Sequence, residues 1–139
     1  MTGIVIVTHR NLGEALIDAA QFVLGDSPEG IIAVSIDLKE SAEVLRKKIS
    51  SAITAVGASD GVLILTDMFG GSPSNLSYSF LEEGRIEVIS GVNLPILIKA
   101  INTRDKEPLE TLAETLEQYG KKSISLASGI LKGNKRGTA

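Results

Sequence analysis

Val62-Leu63-Ile64-Leu65-Thr66-Asp67-Met68-Phe69-Gly70-Gly71-Ser72-Pro73-Ser74-Asn75 passes from an unbroken apolar run, through an acid and two glycines, to a helix start. Residues 62–65 are the most uniformly apolar of several strand candidates, which places them at the centre of a sheet buried on both faces. Ser72 suits an N-cap and Pro73 the first helical position, so a helix is expected over 72–81. The stretch therefore reads as strand, polar loop, helix.

The same alternation extends in both directions. Upstream, Ile4-Val5-Ile6-Val7 is a β-branched run. After His9, the residues Leu12, Ala15, Leu16, Ala19, Ala20 and Val23 recur at helical spacing until Gly25. Residues 31–36 form a second strand candidate. Ser41 is placed to cap a helix with Val44, Leu45, Ile49, Ala52, Ile53 and Val56 on one face. Downstream, residues 86–89 read as a fourth strand and Asn93 as the cap of a helix carrying Leu94, Leu97, Ile98 and Ile101. A further amphipathic helix is expected over 108–119, a short last strand over 123–127, and a frayed basic tail from Lys132. Repeated strand–helix alternation predicts an α/β fold, a mainly parallel sheet with helices on both faces. Ligands of such sheets sit outside the carboxyl ends of the strands. That rule singles out His9, Asp37, Asp67 and the Ser90-Gly91 pair, four polar strand ends on one edge.

Composition narrows the chemistry. The 139 residues fit one domain, and 43% hydrophobic with 22% charged residues is ordinary globular usage. A net charge of -3 leaves no basic footprint for nucleic acid. The absence of cysteine excludes disulfides, thiol catalysis and thiolate-held zinc. The apolar start lacks a basic n-region and reads as a buried strand, with no apolar run of bilayer-spanning length, so a cytoplasmic address is expected.

His9 is the sole histidine, so any imidazole chemistry is its own. From position alone it reads either as a helix-capping, partly buried side chain or as a functional imidazole at a helix N-terminus that favours anions. Asp67 can accept a hydrogen bond from one ring nitrogen of His9 and leave the other free to attack phosphorus. The competing readings of Asp67 are a carboxylate held by backbone N–H groups or a magnesium ligand, for which Asp37 is the one obvious acidic neighbour. Gly70-Gly71 lets backbone approach a ligand, and Gly71, Ser72 and the N–H groups that follow can hold phosphate oxygens; the same letters also describe a plain turn. No Walker-type or GxGxxG sequence occurs, so nucleotide binding lacks a motif. Arg10 reads as a contact for phosphate or for an acidic partner, or as a surface residue. The acidic pattern over 107–117 reads as a solvated helix face, and Lys132, Lys135 and Arg136 as a solubilising tail.

Three pieces in this order and spacing, residues 4–9 (Ile-Val-Ile-Val-Thr-His), 66–75 (Thr-Asp-Met-Phe-Gly-Gly-Ser-Pro-Ser-Asn) and 89–95 (Ile-Ser-Gly-Val-Asn-Leu-Pro), resemble a known pattern. It is that of the mannose-family IIA domain of the bacterial phosphoenolpyruvate-dependent sugar phosphotransferase system. The resemblance runs from about residue 3 to residue 127, which sets a IIA domain over 1–127 and a flexible basic tail over 128–139.

The resemblance implies that His9 matches the phosphorylated histidine, Asp67 the carboxylate beside it, and Ser72 the serine of the phosphate-binding loop. It implies phosphoryl uptake from HPr, transfer to a IIB component, no cofactor or metal, and membrane association only through IIC/IID partners. It also implies a homodimer in which the strand over 123–127 is exchanged between subunits. Because the chain ends soon after that strand, the IIB acceptor is expected as a separate protein. Where the family often has Pro-Gly-Glu after strand two, this chain has Asp37-Leu38-Lys39-Glu40-Ser41, which leaves the role of Asp37 open. The rival readings are a regulatory phosphoprotein not coupled to transport, the phosphocarrier subunit serving dihydroxyacetone kinase, and a metal-dependent enzyme using Asp37 and Asp67. The motif over 67–75 fits the mannose type better than the dihydroxyacetone kinase subunit.

Overall fold

A computed structural model describes residues 1–57 and 59–132. Its elements alternate as β1 (Gly3–His9), α1 (Leu12–Leu24), β2 (Ile31–Ile36), α2 (Ala42–Ala55), β3 (Val62–Thr66), α3 (Ser72–Tyr78), β4 (Ile86–Ser90), α4 (Leu94–Thr103), α5 (Leu109–Lys122) and α6 (Ala127–Lys132). The four strands form one parallel sheet in the order β2-β1-β3-β4. The apolar runs of β1 and β3 are therefore central, and helices cover both faces.

Strand alternation divides the core in two. Ile4, Ile6, Leu63 and Leu65 pack with Ala20 of α1, Leu97 and Ala100 of α4, and Leu112 and Leu116 of α5. Val5, Val7, Val62 and Ile64 point the other way, against Leu45, Ile49 and Ala52 of α2 and Leu76 of α3. Burying each Leu, Ile or Val side chain contributes about 1.5–3 kcal/mol, so these two layers fix the frame on which the strand ends are displayed. The caps expected from sequence form: the Ser41 hydroxyl accepts the Val44 N–H at 3.2 Å, and Asn93 Oδ1 accepts the Ile96 N–H at 2.9 Å.

At the amino edge, the buried Arg104 donates to the carbonyls of Thr2 and Gly30, each at 3.3 Å, and of Glu29 at 2.5 Å. It ties the end of α4 to the starts of β1 and β2. Burial lowers the pKa of this guanidinium, and Asp105 partly opposes the shift.

Several boundaries differ from the expected ones. His9, Thr66 and Ser90 are the last residues of their strands, because the ladder continues one or two residues past the apolar runs. Gly71, not Ser72, is the N-cap of α3, and α3 ends at Tyr78. The strand expected over 123–127 is absent: Ser123 ends α5, the next residues are irregular, and Ala127 starts α6. A strand exists only where a partner strand accepts its ladder, and this segment has none among the described residues. The part of the expected tail over 128–132 is helical. Residues 133–139, with Lys135 and Arg136, lie outside the described residues.

Candidate functional site

Sheet register brings the site together. Val7 pairs with Thr66 and Thr66 with Ser90, so His9, two residues past Val7, and Asp67, one past Thr66, come together at the carboxyl edge. Asp67 Oδ2 accepts both the backbone N–H of His9 at 2.9 Å and ring Nδ1 at 2.8 Å. Oδ1 accepts the Met68 N–H at 3.0 Å. An ionised carboxylate only accepts, so Nδ1 carries the ring proton and, in the neutral imidazole, Nε2 keeps its lone pair. The carboxylate side chain is 11% exposed and the imidazole 36%, which shields the carboxylate and leaves the ring reachable by a partner. Burial pushes the Asp67 pKa up, but the backbone and ring hydrogen bonds of His9, with its charge, more than offset this and hold the carboxyl below its ordinary value.

The turn that carries His9 into α1 is specific. Arg10 has φ 49°, the left-handed region that a side chain rarely occupies, and donates its N–H to the Ile36 carbonyl at 3.2 Å. Asn11 makes no side-chain cap for α1. The buried Thr8 hydroxyl instead accepts the Gly13 N–H at 2.9 Å, so the strand itself caps the helix. Thr8 and Arg10 thus hold the backbone on both sides of His9.

Gly71 closes the other side of the ring. A Cβ at this position would lie 3.0 Å from His9 Cε1 and 3.6 Å from Nε2, a tight contact that any larger residue could make only if the ring or loop gave way by a few tenths of an ångström. Ser72 follows as the first residue of α3, a partly buried position.

Asp37 is not brought to this pair. Its Oδ1 accepts the Lys39 N–H at 3.0 Å, closing a local turn, and its side chain is exposed beside a groove of about 720 Å3 that also borders His9 and Arg10. Among the described residues, no group of three His, Cys, Asp or Glu side chains is placed to hold a metal ion. Ser90 turns inward, away from His9. Its hydroxyl lies 3.0 Å from those of Thr66 and Ser74 and 2.7 Å from Tyr78 OH. Sequence reasoning missed this hydroxyl cluster. Its one visible sign was that apolar strands end in Thr66 and Ser90, which the register then sets opposite each other.

Together, fold and site define an α/β domain that presents a carboxylate-held imidazole at the carboxyl edge of a doubly covered parallel sheet. Residues 3–117 match the EIIA-man family model, described as "PTS system fructose IIA component", and the chain belongs to this mannose-type EIIA family of the phosphotransferase system. It is 30% identical over 133 residues to the fructose-specific EIIA component of Bacillus subtilis, covering 95% of this chain and 90% of that one. It is 36% identical over 106 residues to the mannose-specific EIIAB component of Escherichia coli, covering 76% of this chain and 32% of that longer protein. The fold superposes on an EIIA component from Streptococcus agalactiae with TM-score 0.81 at 24% identity, covering 92% of this chain and 98% of that one. Among the described residues, no helix is long and apolar enough to cross a membrane.

Proposed function

We propose that this chain is a cytoplasmic phosphocarrier whose His9 accepts a phosphoryl group from phospho-HPr and passes it to a separate IIB protein for sugar uptake. The observation that carries this reading is the double hold of Asp67 Oδ2 on the His9 backbone and ring, which fixes the tautomer with Nε2 free. In the uptake step, the N–P bond of the donor phosphohistidine breaks and its electron pair returns to the donor nitrogen. An N–P bond forms to Nε2 of His9, while the proton stays on Nδ1 and Asp67 offsets the ring's positive charge. Positioning and electrostatics dominate such transfers. Gly71, which lies against the ring, and Ser72, the residue after it, are the groups we assign to the phosphoryl oxygens.

A homodimer belongs to the same proposal. β4 is an edge strand beside an open groove of about 440 Å3, and the segment after α5 exposes apolar side chains to solvent. The test of function is phosphate uptake from phosphoenolpyruvate with enzyme I and HPr, read by intact mass for wild type and His9→Ala. Acid-labile phosphate on wild type alone is expected. Uptake by His9→Ala at the wild-type rate would overturn the assignment.

A further inference from the structure

Resting on the phosphocarrier reading, we infer that Ser74 is a positioning residue: its hydroxyl holds the loop from Asp67 to Gly71, and through it the imidazole of His9, in the geometry for phosphoryl uptake. Ser74 is fully buried in the first turn of α3. Serines within helices commonly bond back to a carbonyl of the preceding turn. Ser77 does this to Pro73 at 2.6 Å, and Ser79 to Leu76 at 2.7 Å. Ser74 departs from the pattern. It donates out of the helix to the Met68 carbonyl, six residues back, at 2.5 Å.

Met68 is the residue on which the loop depends. Its N–H is taken by Asp67 Oδ1, the carboxylate that holds His9, and its carbonyl by Ser74. Its Cγ would lie 3.3 Å from a Cβ on Gly71, the residue against the imidazole. The Met68 backbone is thus held on both sides, by the His9 partner and by Ser74. The Ser74 hydroxyl also lies 2.5 Å from Thr66 Oγ1 and 3.0 Å from Ser90 Oγ, so it sits within a buried cluster of hydroxyls. Tyr78 OH anchors Ser90 from the far side at 2.7 Å. Three of these groups sit on β3, β4 and α3, so the loop is referenced to the rigid sheet and not to solvent. Ser74 itself touches neither the ring nor the position of an incoming phosphoryl group, and it acts through Met68.

The experiment compares wild type, Ser74→Ala and Tyr78→Phe in the intact chain, using 15N spectra of the His9 ring, phosphoryl uptake rate and thermal midpoint. In Ser74→Ala, the ring nitrogens should move from the single Nδ1–H form toward a tautomer mixture. Uptake should slow by about 10–10²-fold, the scale of a misplacement of roughly 1 Å. Tyr78→Phe, one hydroxyl further out, should slow it less. A merely structural role would lower the midpoint and leave the ring spectrum unchanged. A folded Ser74→Ala protein with the wild-type spectrum and uptake rate would overturn the inference. Should that variant fail to fold, Ser74→Cys, which keeps the shape with a weak donor, carries the same two readouts. If wild type itself takes up no phosphate, the functional reading falls, and the ring spectra alone then decide for or against the positioning role.

Discussion

At the residue scale, both oxygens of Asp67 are committed as acceptors, Oδ1 to Met68 N–H and Oδ2 to two groups of His9. An amide at this position fits neither way round, because its NH2 must face either the Met68 N–H or the His9 N–H. Asp67→Asn is therefore expected to slow phosphate uptake by roughly 10²–10⁴-fold, the range of positioned acid–base help, in a chain that still folds. Rapid-quench uptake with phospho-HPr measures it, and a loss below a few-fold would count against the orienting role. The lowered pKa of Asp67 adds a stability signature. Its contribution is fully present above the unfolded-state value of about 3.9 and is lost as pH falls through the lower folded value. Thermal midpoints of wild type and Asp67→Asn should differ near neutral pH and converge in strong acid. A constant gap across that window would refute the linkage.

At the scale of elements, the fold was legible where physics is local. β1 and β3 are buried on both faces, so their apolar runs announce central strands, and Ser41 and Asn93 announce helix starts that their side chains then cap. The strand ends at His9, Thr66 and Ser90 were less legible, because a backbone ladder continues through polar residues that hydropathy does not register. His9 and Asp67 were readable as a pair from their places at two strand ends. The cluster of Thr66, Ser74, Tyr78 and Ser90 was not, since it exists only through the register between β3 and β4. Nor does a sequence show that Arg10 sits at φ 49° or that Thr8, not Asn11, caps α1.

The turn at Arg10 makes a prediction of its own. A non-glycine residue in the left-handed region costs on the order of 1–2 kcal/mol, a cost that glycine avoids while adding unfolded-state entropy. Arg10→Gly should therefore leave the urea midpoint near wild type, whereas Arg10→Val should lower it clearly. Equal losses in the two variants would show that the guanidinium, and not the backbone, governs the turn.

At the scale of the whole molecule, β2 and β4 are the two edges of the sheet, unpaired on their outer sides by any other strand among the described residues. After α5, Ser123 is held by Asn93 Nδ2 at 2.9 Å, and the chain then exposes Ile124 (78%) and Leu126 (67%) at strand spacing, followed by α6, which buries nothing. In the proposed homodimer this segment is the one to be covered by the second copy. Charge selects between the edges. The β4 groove is lined by three acids and no base, Glu87, Glu114 and Glu117, whereas Lys47 and Lys48 outnumber Glu14 in the β2 groove, and the segment itself is flanked by Lys121, Lys122 and Lys132. Cationic flanks are repelled at β2 and attracted at β4. A second copy offers the same edge, so the proposed homodimer is one in which residues 123–126 of each subunit add to β4 of the other, a two-fold arrangement that would cover both exposed segments at once. Sedimentation analysis over a range of concentrations should find a dimer for wild type and a folded monomer for the double variant Ile124→Asp, Leu126→Asp. Because the groove also contains Tyr78 and Ser90, loss of the dimer should loosen the hydroxyl cluster and modestly slow phosphate uptake without abolishing it. A wild-type monomer, or a double variant that remains dimeric, would exclude this closure of the sheet.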